Sequence, residues 1–454
     1  MSDFDLILRR GVVNTDTESY VADVGIAEGR IAAVTPLSAG SLSGRATEEI
    51  HIPGLFVFPG LIDAHVHFNE PGRTDWEGIH SGSSALAAGG GALFFDMPLN
   101  AHPPTLDAAS FNLKRQAAEK SALTDFALWG GLVPENLDHL EELADCGVIG
   151  FKAFMSSSGI ADFSRADNAT LREGMKRAGK LGQLVAVHAE NEALTQSLTQ
   201  AKIAAGQVSI RDYLDSRPVA AELEAIRRAI DMAGETGCAL HIVHVSSGAG
   251  VELVTAARSA GADVTCETCP HYLVLTEEDM EKLGASAKCA PPLRPGYERE
   301  NLWQHLLAGE VTTIGSDHSP APPDLKMDAN FFKVWGGISG VQHTLPLLLT
   351  EGFRRNIPYP RIVQMTSTDV ARRFRLPSTK GKIAVGADAD LAIVNITQRF
   401  TVRPEDLYYR HKQTPYAGRS LTGKVVQTIL RGQTIYKDGR IASLPMGRLV
   451  KPQR

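Results

Sequence analysis

Apolar and polar positions alternate in steps of two at both ends of the chain. Short β patterns run over residues 4–8, 21–26 and 30–34, bounded by Gly11, Gly29 and a Ser/Gly/Ala-rich stretch near 38–46, as expected of strands joined by turns. The same texture returns after residue 381, over 390–395, 425–431 and 434–436, with Gly432-Gln433 placed as a hairpin turn. Neither end carries enough apolar residues for a core of its own. The two ends are therefore expected to pair into one small β-sandwich.

Between them the pattern changes to nearly continuous apolar runs separated by helical periods. The runs cover residues 55–68, 92–98, 125–132, 148–155, 184–190, 239–246, 263–270 and 311–320. A helix is expected over 221–233, with Glu222/Arg227 and Glu224/Arg228 as charge pairs. Apolar strands alternating with helices mean a parallel sheet covered on both faces. Eight such units predict an α/β fold, a (β/α)8 TIM-type barrel. The expected organisation is residues 1–54 and 381–454 as the two parts of the sandwich, and 55–380 as a catalytic barrel. An open doubly wound sheet is the alternative. It would place a glycine fingerprint after the first strand, and Gly89-Gly90-Gly91 has neither the position nor the spacing.

Composition narrows the function classes. The 454 residues include 46 Lys+Arg and 52 Asp+Glu, a net charge of -6 with no basic block, which argues against nucleic acid or an anionic membrane as partner. The first ten residues begin with acid and hold no long apolar run, so a cytoplasmic location is expected. Five cysteines fit a reducing compartment, and Cys266 and Cys269, a lone CxxC in an apolar run, read as small buried residues.

In a barrel, polar side chains at the C-terminal ends of the strands meet at one site. The first run ends in Asp63-Ala-His65-Val-His67, and histidines two apart on an extended chain face the same side, where both can grip one metal. The fourth ends in Lys152. A lysine there is either a snorkelling or salt-bridged side chain, or one that loses its proton by desolvation and becomes a nucleophilic amine, able to add carbon dioxide and form a bridging carbamate. The fifth and sixth end in His188 and His244, and the eighth in Asp317. Four imidazoles, a carboxylate and a carbamate make a ligand set for two divalent ions, zinc first, with cobalt, manganese and nickel as alternatives. His241 faces away from His244 and reads as structural. Glu190 and His318 are candidate supporting partners, and Trp335–Gly340 is either pocket wall or hinge.

With these residues in place, the chain resembles the amidohydrolase superfamily, in its cyclic-amidase branch of allantoinases, hydantoinases and dihydroorotases. The resemblance extends to the segment Gly381-Lys-Ile-Ala-Val-Gly-Ala-Asp388-Ala-Asp390. It implies a binuclear site of His65, His67, carbamylated Lys152, His188, His244 and Asp317. Within the branch the chain looks most like the allantoinases, by His65-Val-His67-Phe-Asn69-Glu70-Pro71-Gly72-Arg73, Asp96-Met-Pro-Leu-Asn100, Cys266-Glu-Thr-Cys269-Pro-His271-Tyr272 and Ser316-Asp317-His-Ser319-Pro320. Dihydroorotases carry an arginine where Asn69 stands, and hydantoinases a tyrosine where Ser157 stands. The implied reaction is hydrolysis of the cyclic amide of allantoin to allantoate by a metal-bridged hydroxide. Asp317 is the implied catalytic proton carrier, and Asn69, Asn100 and Ser319 the substrate contacts. The resemblance also implies a homotetramer or homodimer. Another cyclic amidase is the alternative function. A non-catalytic scaffold, as in relatives that have lost metal ligands, is disfavoured because all six are retained.

Overall fold

A computed structural model describes residues 2–453. Its centre is a ring of parallel strands that follow one another in chain order. Leu61–Val66, Gly91–Asp96 and Asp125–Leu128 form one ladder. Beyond Trp129 the third strand resumes as Gly130–Gly131 and pairs with Phe151–Phe154. Val185–His188, Leu240–Ile242, Val264–Thr268 and Thr313–Ile314 then follow side by side. The last strand returns to the first through a parallel bridge between Val66 and His318, where the His67 N–H donates to the His318 carbonyl at 2.7 Å. An open doubly wound sheet would leave two edges and a reversal of order. This sheet closes, so it is a barrel.

The barrel interior is packed. Ile62, Leu93, Ala127, Ile149 and Ala186 fill it from successive strands, and Phe374, just past the helix Asp369–Arg373, sets its ring against Phe95, Trp129 and His241 at 5.2 to 5.4 Å. His241, fully buried and bonded to Thr265 Oγ1 at 2.8 Å, is a structural histidine as expected. Helices cover the outside. One of them, Val219–Thr236, spans the expected 221–233 and stops at Gly237, whose φ of +68° suits a residue without Cβ. Glu224 and Arg228 pair at 3.2 Å. Glu222 does not pair with Arg227. It turns inward and accepts from the Ser246 N–H and from the Ser246 and Ser247 hydroxyls.

Both chain ends build a single nine-stranded sheet. Phe4–Asn14 pairs with Ser19–Ala27 on one side, and with Ala46–His51 and then Phe56–Pro59 on the other. Phe56–Pro59 in turn pairs with Leu391–Thr401, followed by Ser420–Leu430, Gln433–Lys437 and Arg440–Ile441. Residues from both ends share one apolar core, including Leu8, Val24, Ile31, Ile383, Leu391 and Ile429. The sandwich expected from both termini is therefore present. The apolar run over 55–68, read as one strand, is two. It breaks at Gly60, whose N–H donates to the Asp390 carbonyl at 2.8 Å, and a Cβ there would collide with that of Ala92.

A buried ion cluster ties sheet to barrel. Lys380 Nζ donates to Asp125 and Asp390 carboxylates at 2.7 Å each and lies 2.9 Å from Asp388. Burial alone would lower this amine's pKa, but the carboxylates outweigh it and raise it above its ordinary value. Among the described residues, no helix is long and apolar enough to cross a membrane, and all five cysteines are free.

Candidate functional site

The strand ends converge as expected. His65 and His67 leave the first strand on one face and turn both Nε2 atoms to Asp317 Oδ1, at 3.2 and 3.4 Å. These three donors lie within 4.8 Å of one another, a group that can hold a divalent metal ion. Next to it, His188 Nδ1 faces His244 Nε2 at 3.0 Å. The His65 and His244 rings are 5.4 Å apart, which joins the two groups. Lys152 is fully buried on the fourth strand. Its Nζ has no hydrogen-bond partner among the described residues and sits 4.5 Å from the Phe154 ring centre.

The electrostatics suit metal ligation. Burial lowers the pKa of all four imidazoles, that of His65 to about 4 against the opposing pull of Asp317, and neutral imidazole is the form that donates to a metal. Burial likewise brings Lys152 down to about 7, with Asp317 and Glu267 opposing. Desolvation would raise the Asp317 carboxyl, but the facing His65, His67 and His244 rings outweigh it and hold it well below its ordinary value. Asp317 is thus a carboxylate across the whole physiological range.

Carboxylates behind the histidines orient them. His65 Nδ1 bonds Glu267 Oε1 at 2.7 Å, which leaves Nε2 free for the site. His188 Nε2 bonds Glu190 Oε2 at 2.8 Å, which leaves Nδ1 free. Glu190 is fixed in turn by the Arg217 guanidinium. Burial would raise its pKa, but Arg217 and His188 bring it to about 2. Glu190 is one of the two supporting candidates named from the sequence. Glu267 and Arg217 were missed. For Glu267 the signal was an acid amid the apolar residues of the seventh strand, overshadowed by the cysteines on either side, both of which are buried packing residues.

Backbone strain concentrates here. Asn69, Asn100, His244 and Asp317 all have positive φ, at 64°, 69°, 42° and 47°. Asparagine, aspartate and histidine visit this conformation more readily than other side chains, but it still costs on the order of 1 kcal/mol at each position.

A cavity of about 550 Å³ opens over the ligands and includes Asn100, Ser157 and Ser319 in its wall. The Asn100 amide lies 3.3 Å from His67 Nδ1 and 3.5 Å from Ser319 Oγ. Asn69 does not line this cavity; its Nδ2 donates to the Pro320 carbonyl at 3.3 Å. The far wall is the loop from Asn330 to Gly337, which overlaps the start of the Trp335–Gly340 segment read as wall or hinge. Lys288 pins it, donating to the Phe331 and Val334 carbonyls at 2.6 Å each. His318 Nδ1 accepts from the Gly340 N–H at 3.1 Å. A late excursion between the long strands of the terminal sheet braces the same loops. There, Gln413 donates to the Ala321 carbonyl at 2.9 Å and Thr414 to the Ser339 carbonyl at 2.6 Å.

Residues 56–435 match the amidohydrolase family. The chain belongs to the amidohydrolase family. Relatives align along its whole length. An allantoinase of Rubrobacter xylanophilus is 58% identical over 100% of this chain and 99% of that protein. One of Deinococcus radiodurans is 51% identical over 99% of each. Among solved structures, an L-hydantoinase (dihydropyrimidinase) from Arthrobacter aurescens superposes on this amidohydrolase with a TM-score of 0.95, at 33% identity, over 99% of this chain and 100% of that one. A dihydropyrimidinase from Brevibacillus agri gives 0.91 at 30% identity, over 100% and 99%.

Proposed function

We propose that this amidohydrolase opens the ring amide of allantoin to give allantoate. The observation that carries the reading is one cavity lined by His65, His67, His188, His244 and Asp317, with the buried Lys152 amine near enough to feel the Asp317 charge. Full-length relatives named allantoinase support the choice of ring.

In this reading the catalytic unit is the barrel, residues 55–380, and the six residues hold two divalent ions, zinc first, with cobalt, manganese or nickel as substitutes. The donor set fits. Lys152 Nζ and His244 Nδ1 are buried with no partner among the described residues, and the lysine's lowered pKa leaves neutral amine to attack the carbon of CO2. Loss of the amine proton then yields a carbamate with two oxygens to share. When bound, the metals supply Lewis acidity and an acidified water.

The rest is done by side chains. Glu267 and Glu190 accept the ring protons of His65 and His188 and so aim the opposite nitrogens inward. Asn100 Nδ2, 3.3 Å from His67 Nδ1, steadies the third ring. Asp317 takes the proton from the attacking water on Oδ2, the oxygen not turned to His65 and His67, and passes it to the departing ring nitrogen. A neutral ring with N–H donors and carbonyl acceptors matches Asn100 and Ser319 as contacts. Asn69 contributes from behind, by holding the Pro320 carbonyl. The working form is a homotetramer or homodimer, to be checked by light scattering.

The test is turnover of allantoin, hydantoin and dihydroorotate, with a metal count on the same sample prepared in zinc and bicarbonate. Turnover of hydantoin alone would sink the substrate reading, and fewer than one metal per chain the binuclear one. Lys152→Ala should lose metal and most activity and regain part of it with short carboxylic acids.

A further inference from the structure

A second cavity lies at the other end of the barrel. A cavity of about 620 Å³ opens beside the residues that start the fifth to eighth strands, among them Leu184, Ala239, Asp263 and Val311. Four arginines line it, Arg258, Arg372, Arg373 and Arg375, against two carboxylates, Asp263 and Asp369. Arg361 adds a fifth guanidinium, 3.5 Å from Asp369. Each aspartate is already paired, Asp263 with Arg373 and Asp369 with Arg372 at 2.6 Å. The chain leaves this cavity with surplus positive charge.

One guanidinium is only weakly held. Arg258 makes only long contacts, at 3.4 Å to Thr312 Oγ1 and 3.3 Å to the Glu310 carbonyl. Arg375 donates to the Gly182 carbonyl and Arg373 to that of Leu240. Arg373 is only 10% exposed, and its Nε and that of Arg361 are buried with no partner among the described residues. Arg361 has its pKa lowered by burial, with Arg258 adding repulsion. Thr265 and Gln183 add neutral polar groups to the wall, and Gly179, Gly182, Gly237 and Gly309 keep it open.

Guanidinium groups whose donors are weakly occupied, as those of Arg258 are, match the oxygens of a phosphate, and a low-dielectric wall strengthens the pairing. We infer that this cavity binds a phosphate-bearing small molecule, at a site separate from the metal ligands. It is wide enough for a diphosphate with an attached group, and free inorganic phosphate carries the same chemistry.

The test uses calorimetry on the full-length, metal-loaded protein with inorganic phosphate, pyrophosphate and ADP, at constant ionic strength set with chloride. One site per chain is expected. Binding of pyrophosphate or ADP at least about tenfold tighter than phosphate marks a diphosphate ester as the ligand, and equal binding marks a single phosphate group. Arg258→Gln and Arg372→Gln should each weaken binding about tenfold or more while metal content and turnover stay unchanged. Absence of binding up to about 10 mM overturns the inference. So does binding that survives both substitutions, because it then belongs to the metal end of the barrel.

Discussion

Removing the carboxylate behind His65 tests how far the site depends on residues that never touch substrate. In Glu267→Gln the side chain keeps its volume and can still accept from His65 Nδ1, but the bond that spans 2.7 Å loses its charge. Charge-assisted bonds contribute roughly 1.5–3 kcal/mol, about twice their neutral counterparts. The loss is then about 1–1.5 kcal/mol, or about tenfold in metal affinity. Glu267→Ala removes the bond entirely and leaves a void, so about a hundredfold is expected. Burial and the Asp317 charge raise the Glu267 carboxyl to about 8 in the metal-free protein, so it is largely protonated at pH 7 and the amide replaces it at little cost there. The thermal midpoint of metal-free Glu267→Gln should therefore match the parent, while chelator competition shows weaker metal binding and activity falls with it. Equal metal affinity in parent and Glu267→Ala would refute the orienting role.

Other outcomes follow from the same geometry. Gly315→Ala would place a Cβ against the Glu267 carboxylate and 2.9 Å from His65 Cβ, so it should cost about 1–3 kcal/mol of stability and at least tenfold in activity. Gly234→Ala, with nothing within 4 Å inside its helix, should be neutral or stabilising by about 0.5–1 kcal/mol. Because the Glu190 carboxyl sits near 2 instead of 4.5, its ionised form stabilises the folded chain fully above pH 4.5. That advantage fades as pH falls through 2. The stability difference between parent and Glu190→Gln, from urea unfolding of metal-free protein, should shrink by about 3 kcal/mol across that window; a difference that stays constant there contradicts the assignment. Lys380→Met should destabilise by about 3–5 kcal/mol, since it strands buried carboxylates of both layers. A loss under about 1 kcal/mol would show the cluster to be solvated.

The barrel and the ligand set were legible because strand ends are positions a sequence can index. An apolar run followed by His65, Lys152, His188, His244 or Asp317 marks both the strand and its outlet, and the fold gathers the outlets. Other features depend on direction, which composition along the chain does not record. Asn69 sits two residues from His67, yet a positive φ turns its amide toward Pro320 and away from the cavity. The break at Gly60 was hidden because Phe56–Pro59 and Leu61–Val66 are equally apolar and differ only in their partners. Glu222 offered a plausible helix-surface pair, but two serines at the end of the sixth strand give it better bonds inside. The arginines around the second cavity come from separate stretches, and only the closure of the barrel assembles them.

The strand Phe56–Pro59 lies between the first strand of the chain and one that begins at Leu391. On a ribosome this means that early strands wait with an open edge until residues beyond 391 have emerged, and such distant pairings form late. The excursion that reaches Ala321 and Ser339 is made later still. A nascent chain can hold every metal ligand and yet lack the brace on the loops next to Asp317. The firmness of the site thus depends on residues far along the chain from the ligands that it holds.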